Sequence, residues 1–407
     1  VPERAASDVD VLIVGGGIAG TALAVALSGQ GLRLALVEAG ALPEPLGEPE
    51  PGLAGFDARV SALTPHSIAF LERLGAWPAI AAYRACPYRH MTVWDAEGTG
   101  RIDFDSEEMQ RPLLGALVEN RAVVAALAQR VRAATDIQVL APRRLQHARR
   151  ETGGLELELD DGSRYRARLT VGADGAHSPL RRELGLPTRE WDYGQQAIVA
   201  TVNTARPHAD TAWQRFLVTG PLALLPLPDS VGQHCVSIVW SLDDAAVDDV
   251  LALDEPGFCR ALGEASEYRL GEILGSSERR AFPLRQRHAV DYVGEGVALV
   301  ADAAHTLHPL AGQGINLGLA DVEVLADEVL RACGLGLSPG AASALQRYQR
   351  RRKGSNLAMM AAMDAFRHLF GARQPPLRWL RNEGLRRVNA MGPLKRHLMR
   401  HAMGLVE

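Results

Sequence analysis

Three glycine-rich stretches hold the residues best suited to chemistry. The first is Gly15-x-Gly17-x-x-Gly20, between the apolar run 11–14 and an alanine- and leucine-rich segment ended by Gly29 and Gly31. Such a pattern is informative when a strand precedes it and a helix follows. Gly15 permits the tight turn, Gly17 lets the backbone approach a pyrophosphate, and Gly20 lets the helix pack on the strand. Ile18 and Ala19 complete the candidate cofactor-binding set at the helix start, where the N-terminus attracts phosphate. Glu38 closes the next strand, 18 residues after Gly20. There a carboxylate can accept both ribose hydroxyls of an adenosine and would repel a 2′-phosphate. This unit predicts dinucleotide binding without separating FAD from NAD.

The second stretch is Gly172-Ala173-Asp174-Gly175-Ala176-His177-Ser178-Pro179-Leu180-Arg181. The third runs Ala301-Asp302-Ala303-Ala304-His305-Thr306-Leu307-His308-Pro309-Leu310-Ala311-Gly312-Gln313-Gly314-Ile315-Asn316. Each sets an aspartate just past a buried strand, where open α/β sheets bind ligands. Gly312 and Gly314 allow backbone to approach a flat ring. Amides near the following helix N-terminus would stabilise negative charge on it. His305 and His308 share a spacing that metal sites also use. No third ligand cluster accompanies them, so no metal is expected. His305 reads equally as a polar contact near a cofactor or phenol and as a satisfied buried histidine.

The elements that must hold these stretches can be read from periodicity. Residues 11–14 and 33–37 flank the first helix and make one β-α-β unit. Residues 89–105 alternate about Gly98 and Gly100 and predict a hairpin. Residues 120–134 predict a helix, and 155–159 a strand ending in the turn Asp161-Gly162. Between 191 and 290 strand patterns dominate, which predicts a mostly antiparallel second sheet. In it Leu222 and Leu224, with Leu225, form an apolar strand that can line a substrate pocket or equally serve as ordinary sheet core. A helix from about 316 to 331 follows the third stretch, and 341–407 read as helical.

Composition narrows the class. The chain has 407 residues, 47% hydrophobic and 23% charged, with a net charge of −4. That excludes a disordered chain and, by bulk charge, a nucleic-acid binder. Of 44 basic residues only Lys353 and Lys395 are lysines, so no lysine before 353 can serve as a base. Residues 341–407 carry 14 Lys+Arg against Asp364, Glu383 and Glu407. The four cysteines show no CxxC spacing, and no secretory leader is seen, so free thiols in a reducing compartment are expected. No apolar run approaches the roughly 18 residues that span a bilayer.

With these motifs in this order, the chain resembles the group A flavoprotein aromatic hydroxylases, of p-hydroxybenzoate hydroxylase build. The segments FDARVSALTPHS, LVENRAVVAAL, AAHTLHPLAGQGINLGLAD and RHAMGL resemble the ubiquinone-biosynthesis hydroxylases among them. MTVWDAEGTGRIDFD, WDYGQQAIVAT and CVSIVWSL resemble the members acting on 2-polyprenylphenols. The resemblance implies an α/β fold: a Rossmann-like FAD-binding domain in three parts (1–88, 112–188 and 289–340). It adds a hairpin (89–111) and a β-sheet substrate domain (189–288), then a helical C-terminal region (341–407).

It also implies roles. Asp302 would hold the ribityl chain of FAD, and Pro309 to Asn316, with Gly312, Gln313 and Gly314, would face the isoalloxazine. Asp174 and Gly175 would lie near the pyrophosphate and the NAD(P)H passage. Arg59 and Arg121 would contact FAD, and His305 and Pro309 would be the catalytic pair. The implied reaction is NAD(P)H- and O2-dependent hydroxylation of a polyprenylated phenol through a flavin C4a-hydroperoxide. One departure is visible: the family usually has glycine before the third aspartate, and here Ala301 would crowd the backbone near the cofactor.

Two alternatives share the motifs. One is another FAD-dependent reductase or monooxygenase acting on an apolar substrate. The other is a non-catalytic flavin-binding member of a biosynthetic complex. Met359, Met363, Phe366 and Phe370 form an apolar helical stripe that packs on the protein or, in the net-positive tail, faces anionic lipid or a partner. A cytoplasmic protein with peripheral contact at the inner membrane face follows from the second option. An oligomer is compatible with either.

Overall fold

The structure, a computed structural model, describes residues 6–306, 314–371 and 374–403. Five strands run parallel at its centre. Their order is Val297–Leu299, Arg164–Gly172, Ser7–Val14, Leu34–Val37, Ile137–Leu140. The run VLIV is continuous because both sheet faces are covered. Val11 and Ile13 pack into a core shared with the helices Ile18–Leu27, Asn120–Ala133 and Gly314–Gly334. Leu12 and Val14 face the opposite side, beneath the antiparallel strands Leu145–Glu151 and Gly154–Leu159. Each such fully buried leucine contributes on the order of 2 kcal/mol.

A second, nine-stranded sheet is built on Thr188–Thr204, His234–Asp243, Gly220–Pro226 and Thr211–Leu217. The hairpin His90–Asp95/Arg101–Asp105 joins it by pairing parallel to Thr211–Leu217. At the other edge His305–Thr306 pairs with Arg280–Ala289, so the third glycine-rich stretch ties the two sheets together. Within 191–290 the structure also contains two helices, Asp244–Leu251 and Glu255–Ala265, which the strand-dominated reading did not predict. The second is capped by Asp254, whose side chain accepts from Gly257 N at 2.8 Å, a signal present in the sequence.

These helices choose between the two readings of Leu222 and Leu224, in favour of sheet core. Both are 1% exposed and pack with Ile198, Ile238, Val247, Phe258 and Leu262. They fill the core under the helices instead of lining a pocket. Strand alternation turns Ala223 and Leu225 to the other face, where Leu225 meets Phe56 and Leu117.

The C-terminal helices Ala342–Gly371, Pro375–Ala390 and Gly392–Ala402 cover part of the second sheet. Phe370 stacks on Phe216 with centroids 3.8 Å apart, and Met363 packs in the same cluster. The apolar stripe is thus at least partly used inside the protein; the Phe366 side chain lies outside the described residues. No helix among the described residues is long and apolar enough to cross a membrane.

Candidate active site

The first two stretches, the start of the third and Glu38 meet at the carboxyl ends of four adjacent parallel strands, the crevice where such sheets bind ligands. The junctions are tight. Gly15 N donates to Val37 O at 2.8 Å, Ala173 N to Val14 O at 2.8 Å, and Val300 N to Gly172 O at 3.0 Å. Gly15 has φ +110°, and a Cβ there would lie 2.3 Å from Ala173 O. A Cβ on Gly20 would lie 1.8 Å from Gly15 O. Gly17 differs: it is exposed, it caps the helix Ile18–Leu27, and a Cβ on it would meet nothing within 4 Å. Two glycines therefore serve the backbone, and the third keeps space open at a helix N-terminus with no acidic residue in its first turn. That space suits an anion.

Glu38 is held by the first glycine stretch and by its own loop, accepting from Gly16 N at 2.6 Å and Gly40 N at 2.8 Å. Asp174 accepts from Leu180 N at 3.0 Å, while its Oδ1 is buried without a partner. Burial raises its pKa above the ordinary carboxylate value. Gly175 has φ +81° with open space at its Cβ position. Asp302 is exposed, with protein packed near its carboxylate. That packing raises its pKa, and His305 and Arg59 oppose the rise.

Arg59 is exposed, with its guanidinium 5.2 Å from the Phe282 ring centre. Arg121 is fixed in a buried set: it pairs with Glu119 at 2.7 Å and donates to Gly55 O. Its Nε is buried and unpartnered. Glu119 is 1% exposed and also accepts from Asp57 N at 2.7 Å. Asn316 spends its side chain on the backbone, accepting from Thr64 N at 3.0 Å and donating to Ala62 O at 2.8 Å. It thus pins the helix Gly314–Gly334, and Gly314 with it, against the strand Val60–Leu63. Pro309, Gly312, Gln313 and His308 lie outside the described residues.

His305 is 2% exposed and bonds through Nε2 to Asp321 Oδ2 at 2.5 Å. Of its two readings, the paired buried histidine is the one seen. Among the described residues no group of three or more His, Cys, Asp or Glu could hold a metal.

Several residues here were missed from sequence. Arg181, 4% exposed, donates to Ala303 O at 2.7 Å and Ala176 O at 2.7 Å, lacing the second stretch to the third. Arg287 also donates to Ala176 O and pairs with Glu190 at 2.6 Å. Asp321, Arg352 and Asn356 form a hub behind Ala301. Arg181 stood inside the second stretch and Asp321 at the end of the segment AAHTLHPLAGQGINLGLAD; Arg287, Arg352 and Asn356 are isolated polar residues with partners far away in sequence.

Comparison with known proteins shows the family. A family profile described as an FAD binding domain matches residues 8–369. The chain belongs to the group A flavoprotein monooxygenases. This monooxygenase uses FAD with NAD(P)H as reductant. It is 38% identical over 398 residues to 3-demethoxyubiquinol 3-hydroxylase of Escherichia coli, covering 97% of this chain and 98% of that one. It is 36% identical to the mitochondrial ubiquinone biosynthesis monooxygenase COQ6 of Xenopus tropicalis, covering 97% and 93%. In fold the monooxygenase resembles PqsL of Pseudomonas aeruginosa, with TM-score 0.75, 23% identity, and coverage of 93% and 99%. It also resembles p-nitrophenol 4-monooxygenase PnpA of Pseudomonas putida, with TM-score 0.75, 17% identity, and 98% of both chains covered.

The residues present fit FAD. The open helix N-terminus at Gly17, the fixed carboxylate of Glu38 and Asp302 lie along one crevice, at the ends of adjacent strands. The orphaned atoms Asp174 Oδ1 and Arg121 Nε are buried polar groups still lacking a partner, which a polar ligand would supply.

Proposed function

We propose that this monooxygenase hydroxylates the aromatic ring of a polyprenylated phenol in ubiquinone biosynthesis, using NAD(P)H and O2. The observation that carries the reading is the meeting of Gly15–Gly20, Glu38, Asp174 and Asp302 at adjacent strand ends. The substrate class is supported by the names of the relatives.

FAD, when bound, supplies the activation of oxygen. The chain's residues bind, orient and exclude water. The amides at Gly17, Ile18 and Ala19 receive phosphate, and Glu38 receives the adenosine ribose. Asp302 takes the ribityl hydroxyls, and Arg59 and Arg121 add positive charge. Asp174 and Gly175 border the pyrophosphate. Gly314, on the helix that Asn316 anchors, offers backbone to the ring, a part that the family resemblance also gives to Pro309, Gly312 and Gln313. His305 supports that stretch from behind.

The second sheet would supply the apolar wall that keeps water from the reacting centre. The six-part division of the chain by domain belongs to the same proposal. So does a cytoplasmic enzyme whose net-positive tail meets anionic lipid, tested by liposome co-sedimentation of Arg→Glu variants.

The experiment is substrate-dependent NAD(P)H oxidation. The reading requires oxidation stimulated by a prenylated phenol, with hydroxylated product in step. A reduced, saturated product with no added oxygen would favour a reductase. No turnover from a flavin-loaded protein would favour the non-catalytic alternative.

A further inference from the structure

Asp321 lies on the buried face of the helix Gly314–Gly334 and is 0% exposed. An isolated carboxylate there is costly, and apolar packing of similar volume is often no less stable. Its surroundings explain why a charge is tolerated. Oδ2 accepts from His305 Nε2 at 2.5 Å and Ala301 N at 3.1 Å. Oδ1 accepts from Arg352 Nε at 2.7 Å and Asn356 Nδ2 at 3.1 Å. All four bonds run toward the carboxylate, since an ionised carboxylate only accepts. Burial alone would raise its pKa, but His305 and Arg352 outweigh this and hold it at about 2.

The four donors come from two places. Ala301 and His305 flank Asp302 in the third stretch. Arg352 and Asn356 are one turn apart on the C-terminal helix Ala342–Gly371, and Arg352 Nη2 also donates to Asn356 Oδ1 at 2.9 Å. Asp321 therefore grips both ends of the turn that presents Asp302, and the C-terminal helix braces it from behind.

We propose that Asp321 is a positioning residue for FAD: by clamping Ala301 and His305 it aims Asp302, and Arg352 and Asn356 make the C-terminal helix part of the cofactor site. This rests on reading Asp302 as an FAD-binding residue. The C-terminal helix thereby acts on cofactor retention without touching the cofactor.

The test uses full-length apoprotein titrated with FAD and followed by flavin fluorescence. Visible circular dichroism of bound flavin and Tm with and without FAD complete the readout. The variants are Asp321→Asn and Arg352→Gln, with Tyr348→Phe as control. Tyr348 is equally buried and donates to Leu299 O at 2.7 Å, but does not bond Asp321.

The proposal expects Kd for FAD to rise about tenfold or more in the first two variants. Their flavin dichroism should change and the FAD-induced rise in Tm should shrink. Tyr348→Phe should lose apoprotein stability with Kd changed by no more than about twofold. Should Asp321→Asn not fold, Arg352→Gln and Asn356→Ala carry the same comparison.

Wild-type affinity and dichroism in the hub variants would overturn the proposal. So would a loss of affinity that merely tracks apoprotein Tm across all variants, control included. A wild-type chain that binds no FAD would instead remove the reading of Asp302 on which the proposal stands.

Discussion

The methyl of Ala301 points at Gly318: a Cβ built on Gly318 would lie 2.8 Å from Ala301 Cβ and 3.5 Å from Ala301 Cα. Ala301 has φ +52°, a left-handed conformation that glycine adopts freely and alanine resists by about 1 kcal/mol. The glycine usual before the third aspartate is thus replaced by alanine, and its room comes from the facing helix. Ala301→Gly is expected to raise stability by roughly 0.5–1 kcal/mol. Gly318→Ala should cost about 1–3 kcal/mol. In the double variant most of that cost should vanish, since 3.5 Å is ordinary contact. A double-mutant cycle by denaturant unfolding measures the coupling; additive effects would contradict the packing.

The three glycines of the first motif should separate. Gly20→Ala drives a Cβ into the carbonyl of Gly15, so both apoprotein stability and FAD binding are lost. Gly17→Ala meets no protein atom. It should leave the apoprotein Tm unchanged and weaken FAD by about tenfold or more, because only the ligand occupies that space. Paired thermal melts and FAD titrations check the contrast.

The two arginines should separate in the same way. Arg59 is exposed, and Arg59→Ala should reduce FAD affinity with little change in Tm. Arg121→Ala also strips a partner from the buried Glu119. Arg84 and the Asp57 amide still serve that carboxylate, so the expected cost is about 1–3 kcal/mol.

His288 makes stability depend on pH. Burial pushes its imidazole pKa down to about 4, and the charges of His305, Lys353 and Arg189 add to the fall. Tyr292 OH bonds its Nε2 at 3.1 Å. The unfolded imidazole, with a pKa near 6.5, takes up a proton first as pH falls. The contribution is therefore full above about pH 6.5 and is lost as pH falls toward about 4, on the order of 3 kcal/mol in all. Unfolding free energy measured across that window should fall, and His288→Gln should flatten the slope.

Much of the crevice was legible because its signals are local. Gly15, Gly20 and Glu38 stand at fixed distances from a strand end, and Gly20 and Glu38 respond to atoms within one β-α-β unit, while Gly15 also meets Ala173 of the second stretch. Leu222 and Leu224 stayed open between pocket wall and sheet core because a run of consecutive apolar residues has no period that says which face is which. Only the helices Asp244–Leu251 and Glu255–Ala265 decide it. Asp321 was invisible as a positioning candidate because its partners lie 20 residues before it, at Ala301, and 31 after it, at Arg352. Asn316 stood in a motif, yet its hydrogen bonds to Ala62 and Thr64 cross more than 250 positions of chain. A single sequence does not display pairings of that range.

The central claim is that oxygen from O2 enters an aromatic ring bound beside the crevice. Its most direct test supplies the FAD-loaded protein with NAD(P)H, a prenylated phenol and oxygen-18 gas, and weighs the product. The account predicts a phenol gaining one hydroxyl that carries the heavy isotope. A product labelled only from water, or NAD(P)H consumed with the phenol unchanged, would contradict it.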